Sequence, residues 1–296
     1  MQNHNMNQHS NTYVLITAAR NEELNIEKTI KSVINQTIKP LQWIIVNDGS
    51  KDKTEQIINH YKKKHGFIKL LNVSGDKEYN FSSKVKAINA AKRQIDVKDY
   101  DFIGILDADI SLSSDYFEKL LNKFESNQKL GIAGGIICEM RKDKLIKQNI
   151  SLNSVAGAVQ FFKYKCFNEI GDFLPLKYGG EDAAMEITAR MNSWEVQTFP
   201  ELKVLHYGFV GKASGNMYKA AYRRGICFYQ LSYHPLFQIF RCIYRIKDRP
   251  VFIGSLIELV GFFFSYLRKE RSLLPVKTVR FLRDEQIQRL KSIIKG

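Results

Sequence analysis

Along the first 110 residues, short β-branched runs alternate with segments of helical period, and each run stops at a polar cluster. Thr12–Ala18, Trp43–Asn47, Ile68–Val73 and Phe102–Leu106 lack a 3.6-residue period and read as strands buried on both faces. Between them, Asn21–Ile34 sets Leu24, Ile26, Ile30, Val33 and Ile34 on one helical face, and Asp52–Tyr61 and Ser83–Arg93 also read as helices. Such alternation with short connections implies a mostly parallel sheet flanked by helices. In sheets of that kind ligands bind beyond the carboxyl ends of the strands. Arg20-Asn-Glu22, Asn47-Asp-Gly-Ser50 and Asp107-Ala-Asp109 all fall there, so one edge of the sheet is the expected site.

Beyond Asp109 the pattern loosens. Ile132–Cys138 and Val155–Tyr164 read as strands, or as a strand followed by a helix. Gly179-Gly-Glu-Asp182 opens a helix running to about Asn192, and Val196–Pro200 and Lys203–His206 are extended. After that the chain turns aromatic and basic. The expected division is a polar tail (1–11), an α/β unit (12–210) and a helical C-terminal region (211–296), with a boundary near Gly211. The chain carries a formal charge of +15, and residues 211–296 hold 17 Lys+Arg against 5 Asp+Glu, which is +12 of it. An excess confined to one end points to an anionic partner, nucleic acid or phospholipid. Cys138, Cys166, Cys227 and Cys242 form no Cys-x-x-Cys pair, which excludes a zinc ribbon and suits a reducing compartment. Met1–Asn11 has neither a basic nor an apolar signal region, so a cytoplasmic position is expected.

Asp107 and Asp109 are hard oxygen donors one residue apart; they could share a divalent ion and leave positions for phosphate oxygens, or simply cap a strand end. Asp48 could accept a hydrogen bond from a base or ribose, while Gly49 reads as a turn glycine. Asn21 with Glu22 could equally be a helix N-terminus, since Asn caps well and early acids suit the dipole.

Taken in order, Val14-Leu-Ile-Thr-Ala-Ala-Arg-Asn-Glu-Glu23, Ile44-Ile-Val-Asn-Asp-Gly-Ser-Lys-Asp-Lys-Thr54, Lys84-Val-Lys-Ala-Ile-Asn-Ala90, Leu106-Asp-Ala-Asp109 and Gly179-Gly-Glu-Asp182 resemble the family 2 glycosyltransferases of bacterial cell-surface polysaccharide synthesis. The likeness ends near His206 and covers about two thirds of the chain. It implies the GT-A nucleotide-diphospho-sugar transferase fold and transfer of a sugar from a nucleotide-sugar to a hydroxyl acceptor, such as a polyprenyl-linked glycan. By that resemblance Glu22 and Asp48 would hold the uracil and ribose of a UDP-sugar. Lys84 would lie near the nucleotide, and Ala18, Arg20, Asn21 and Ala108 would line the donor. Asp107 and Asp109 would bind ribose and the Mg²⁺ or Mn²⁺ on the diphosphate, with His206 as a further metal or diphosphate contact. Asp182 would be the catalytic base, and Glu181 would orient the acceptor or favour a helix N-terminus.

Two departures stand out. The family's frequent Asp-Asp-Gly-Ser appears as Asn47-Asp48-Gly49-Ser50, and Tyr222-Arg-Arg-Gly225 stands in the region where processive polymer synthases carry Gln-x-x-Arg-Trp. Single-sugar transfer follows as the expectation. The competing readings are a sugar nucleotidyltransferase of similar fold and a nucleic-acid-binding protein using its basic end. The first would want a Gly-rich basic loop where Ala18-Ala-Arg-Asn-Glu22 stands, and no nucleic-acid recognition motif supports the second.

Val251–Leu267 is a 17-residue, mainly apolar run followed by Arg268-Lys-Glu-Arg271. As a helix it would reach ~26 Å, short of a ~30 Å hydrocarbon core. Gly254, Glu258, Gly261 and Ser265 fall on one stripe, with Phe252, Leu256, Phe263 and Leu267 on the remainder. A short striped helix with a basic flank suits the interface of an anionic membrane, peripheral on the inner face of the plasma membrane. Phe228, Tyr229, Tyr233, Phe237, Phe240 and Tyr244 suit headgroup depth. The alternatives are helices that cover the catalytic unit or join two copies in a homo-oligomer.

Overall fold

The computed structural model describes residues 11–74, 81–141, 144–208, 216–247, 250–268 and 270–295. The expected polar tail, apart from Asn11, and the expected boundary near Gly211 lie outside the described residues.

The alternating first part forms β1 (Tyr13–Ala19), α1 (Ile26–Ile34), β2 (Gln42–Asp48), α2 (Thr54–Lys62), β3 (Ile68–Val73), α3 (Phe81–Lys92) and β4 (Phe102–Leu106). The four strands pair in parallel in the order β3-β2-β1-β4. Period-two geometry sends alternate residues to opposite faces. Tyr13 and Leu15 of β1 pack with Ile26, Ile30 and Ile58 of α1 and α2, whereas Val14 and Ile16 pack with Val85, Ile88 and Ala91 of α3. Burial on both faces is why β1, β2 and β4 show no polar alternation, whereas β3, at the sheet edge, buries only Ile68 fully.

The second part supplies β5 (Ile110–Leu112), α4 (Tyr116–Ser126), β6 (Leu130–Arg141), β7 (Lys144–Lys147), β8 (Val159–Lys163), α5 (Tyr164–Ile170), α6 (Glu181–Met191) and β9 (Glu195–His206). β8 runs antiparallel to β4 and β6, and β5 antiparallel to β9, so the nine-stranded sheet is mixed. Val196–Pro200 and Lys203–His206 belong to one strand. Its register on β6 jumps from Gly135–Phe199 to Ile136–Lys203, where Pro200 has no N–H to offer a ladder. The first helix also starts later than expected: Asn25 sits at its N-terminus, and Asn21, at φ 56°, is not its cap.

Among the described residues four helices follow: α7 (Met217–Gln230), α8 (Pro235–Tyr244), α9 (Ile253–Leu267) and α10 (Val276–Lys295). Leu176 and Ala184 of the first unit pack with Cys227, Leu231 and Leu274, so part of this region does cover the α/β unit. Gly254, Glu258, Gly261 and Ser265 of α9 are buried. They do not form a wet side, because α9 crosses α7 so closely that a Cβ on Gly225 would stand 2.0 Å from the Glu258 carbonyl oxygen. The aromatics divide as well. Phe228 packs on Tyr233 beneath the Arg241 guanidinium, while Phe240 and Tyr244 point outward. Among the described residues no helix is long and apolar enough to cross a membrane.

Candidate active site

Because β1, β2 and β4 are parallel, their carboxyl ends open on the same side, and the polar clusters after them meet. All twelve site residues expected from the sequence (Ala18, Arg20, Asn21, Glu22, Asp48, Lys84, Asp107, Ala108, Asp109, Glu181, Asp182 and His206) line one cavity of about 840 Å³.

Two loops are tied together at its first wall. The Asn21 side-chain oxygen accepts from the Lys51 N–H at 2.8 Å, and the Asn21 N–H donates to Ser50 Oγ at 3.1 Å. Thr54 Oγ1 accepts from the Glu22 N–H at 2.7 Å. Asp48 closes β2 with the Arg20 guanidinium 3.6 Å away. Gly49, at φ 65°, makes the turn expected of it. On the other side of Asp48 a smaller cavity of about 200 Å³ runs between β3 and α3, lined by Val73, Ser83 and Ala87.

On the second wall, Asp107 forms a close ion pair with Lys84 of α3. Ala108 is buried, and its carbonyl accepts from Thr29 Oγ1 of α1 at 2.8 Å, which fixes the loop. Asp109 faces His206 because the β5–β9 pairing sets Ile110 opposite His206, and His206 Nε2 lies 3.3 Å from Asp109 Oδ2. Burial disfavours the charged imidazole, but the bond to Asp109 and the fields of Asp109 and Asp107 override it and raise the His206 pKa. Burial, together with Asp109 and Asp107, pushes the Glu22 carboxyl up to about 7 despite a bond from Asn25.

On the third wall, Gly180 at φ 95° lets the chain turn into α6, a backbone shape that L side chains rarely adopt. Glu181 and Asp182 follow in the first helical turn. Glu181 is buried, and its Oε2 has no hydrogen-bond partner among the described residues. Asp182 Oδ1 accepts from the Ala183 N–H at 2.8 Å. Burial raises both carboxyls, and for Glu181 the neighbouring Asp182 charge adds to it. A Cβ on Gly157 would stand 2.8 Å from Asp182 Oδ2, so a larger residue there would crowd the Asp182 carboxylate.

A divalent cation suits the Asp109 end. Among the described residues no group of three His, Cys, Asp or Glu is gathered as a complete ligand set. The carboxylate and imidazole of Asp109 and His206 are nonetheless suitable donors for Mn²⁺ or Mg²⁺, which commonly take one or two side chains and complete their shell with substrate phosphates and water. The crowding of Glu22, Asp107 and Asp109 that lifts the Glu22 pKa is a field that such an ion would relieve.

Three features of the site carry no motif in the sequence. Arg223 of α7 reaches the cavity, with its guanidinium 4.8 Å from the centre of the Phe81 ring, and both line it. Residues 154–158 form another part of the lining. Behind them Glu186 accepts from the Val155 N–H at 2.7 Å and from Gln160 Nε2 at 3.4 Å. Burial and the Asp182 charge push the Glu186 carboxyl up to about 8.

The family described as glycosyl transferase family 2 matches residues 14–179. A poly-beta-1,6-N-acetyl-D-glucosamine synthase of Staphylococcus epidermidis is 26% identical over 227 residues, 70% of this chain and 52% of that protein. The chain thus spans about half the length of this curated relative. S. aureus TarS in complex with UDP-GlcNAc superposes with a TM-score of 0.55 at 12% identity, over 92% of this chain and 78% of that one. A mannosyltransferase, PcManGT from Pyrobaculum calidifontis, in complex with GDP-Man and Mn²⁺, gives 0.55 at 14% identity, over 94% and 80%. At such identities the likeness shows the fold, a GT-A glycosyltransferase fold.

Proposed function

The chain belongs to glycosyl transferase family 2, and from that premise we propose that it transfers a single sugar from a UDP-sugar to a hydroxyl of a lipid-linked glycan, in surface polysaccharide synthesis. One observation carries this reading: Asp182, with a carboxyl raised by burial, and the Asp109–His206 pair line the same cavity. A raised carboxyl is a stronger proton acceptor than a free one. Asp182 takes the acceptor hydroxyl proton as that oxygen bonds to the anomeric carbon and the bond to the nucleoside diphosphate breaks, with inversion. Glu181 orients the acceptor beside it. Asp48, shared with the smaller cavity, and Glu22 hold base and ribose, and Arg20, Asn21, Ala18 and Ala108 line the donor. Lys84 and Asp107 are paired beside the nucleotide, and Asp107 would also reach the ribose and the metal held by Asp109 and His206. Asp109 and His206 would hold Mn²⁺ or Mg²⁺, which when bound supplies Lewis-acid stabilisation of the departing diphosphate. A UDP-sugar as donor is supported by the relatives that carry N-acetylglucosamine in their names or crystals. Single transfer is supported by Tyr222-Arg-Arg-Gly225 at the place of the polymer synthases' Gln-x-x-Arg-Trp.

Asp182→Asn is expected to lower turnover ~10²–10⁴-fold while leaving UDP affinity, read by calorimetry, near that of the wild type. Turnover close to wild type overturns the assignment, and a dead Glu181→Gln beside an active Asp182→Asn exchanges the two roles. Asp109→Ala is expected to abolish the divalent-ion dependence of UDP binding together with activity. Full activity in EDTA would remove the metal from the scheme. Mass spectrometry of the extended acceptor should show one added sugar rather than a ladder.

A further inference from the structure

The outer face of α8 and α9 is built the wrong way round for water. Among the described residues 24 large hydrophobic side chains are exposed, and 12 of them fall between Leu236 and Leu267. Leu256 is 63% exposed, Leu267 78% and Tyr244 88%. Inside, α9 buries its stripe of small and charged residues together with Phe262, while Phe252, Leu256, Val260, Phe264 and Leu267 face out. Exposed apolar patches of this density on a folded chain mark an interaction surface.

Charge says what covers it. α8 contains no acidic residue, and the one acid of α9, Glu258, is buried against Arg241 and Arg224. Arg245, Lys247, Arg268 and Arg271 flank the apolar face and are exposed. A second copy would bring the same +12 segment against itself, which electrostatic complementarity disfavours. Nucleic acid would meet the basic rim but leave the apolar centre wet. An anionic bilayer surface satisfies both, with acyl chains for the centre and headgroups for the rim. At 15 residues α9 reaches only about 22 Å, too short to cross the hydrocarbon core, so the helix lies in the interface.

We propose that the outer face of α8 and α9 docks on an anionic lipid leaflet. The docking goes beyond the transfer reaction and stands without it. It would also tie the membrane to the site. Arg224 of α7 bonds Glu258 of α9 at 3.1 Å, and its neighbour Arg223 lines the cavity.

The test is flotation of the full chain with vesicles of phosphatidylcholine, with or without phosphatidylglycerol. The wild type is expected to float with the anionic vesicles and to be released by salt. Leu256→Glu with Val260→Glu should lower partition at least about tenfold, and Arg245→Ala with Arg268→Ala roughly fivefold per charge removed. Phe240→Ser with Tyr244→Ser tests α8 separately. All six side chains lie at the surface, so melting temperatures should stay near wild type. Partition that ignores phosphatidylglycerol, or that survives the Glu pair, overturns the proposal. So does a lipid-free dimer that the Glu pair dissociates, or a DNA complex that anionic vesicles do not displace.

Discussion

Glu258 in the C-terminal helices and Glu186 behind the cavity are both about 95% buried, yet they sit in opposite electrostatic surroundings. Burial works to raise Glu258, but Arg241, a bond from Gln238 at 2.8 Å and Arg224 override it, and its carboxyl falls below the usual range. Among the described residues the one cation paired with Glu186 is Arg190 at 3.8 Å, itself engaged by Glu285 of α10, and burial beside Asp182 pushes Glu186 up to about 8. Around the cavity Glu22, Glu181 and Asp182 are raised too. Glu258 and its two arginines close their charges on one another, as a structural staple does. The catalytic unit leaves carboxyls undercompensated, a condition that clusters at functional sites. The apolar side chains divide in the reverse sense, inward around the sheet and outward on α8 and α9.

The largest effect expected from this contrast is that of Glu258→Ala. Removing one carboxylate would leave Arg241, mostly buried, without its closest partner, at a cost of roughly 3–5 kcal/mol by chemical denaturation. Glu258→Gln, which keeps a hydrogen-bonding oxygen, should cost less. A cost under about 1 kcal/mol for Glu258→Ala would break the staple reading. The two glutamates should also respond oppositely to pH. With a depressed folded pKa, Glu258 contributes stability that is present above its ordinary value near 4.5 and lost as pH falls through the folded value. With a raised one, Glu186 contributes stability that is fully present below pH 4.5 and lost as pH rises to about 8. Glu186→Gln, which cannot ionise, should therefore gain on the wild type by roughly 2–4 kcal/mol between pH 5 and 8. Parallel pH profiles for the two proteins would show that Glu186 is not held protonated by its surroundings.

The same contrast explains what could be read from residues alone. The parallel strands were legible because burial on both faces forces β-branched runs, and the site was legible because Asp48, Asp107 and Asp109 stand where such runs stop. β5 and β7, at three and four residues, carry no period of their own; they exist through β9 and β6. α4 escaped the reading although Tyr116, Phe117, Leu120, Leu121 and Phe124 share a helical face. Glu186 looks like any surface glutamate until Val155 and Gln160 are brought against it. The stripe on α9 was visible, but not the side it would face, because that depends on Gly225 of α7 admitting the close crossing. Arg223 reaches the cavity from α7, which packs on the α/β unit through Cys227 and Leu231.

The smallest effect is the most discriminating for the apolar half of the comparison. Phe117 is fully enclosed between α4 and the sheet, tilted against the rings of Tyr13 and Phe161, whereas Phe240 is 48% exposed on the outer side of α8. Truncating a buried aromatic in a close-packed core typically costs ~3–5 kcal/mol, because the cavity left behind adds to the lost transfer energy. A surface substitution that breaks no cap, pair or packing usually stays within about 0.5 kcal/mol. Phe240→Ser in lipid-free buffer should therefore unfold at nearly the wild-type denaturant midpoint, while Phe117→Ser should lose most of its stability. If Phe240→Ser instead costs more than about 2 kcal/mol, and the cost grows with protein concentration, the face is covered in solution by another copy of the chain. A cost independent of concentration would mean that α8 packs more deeply than its exposure indicates. Near-neutrality in buffer together with weaker flotation would assign the side chain's contribution to lipid alone, which is the division of labour the two halves imply.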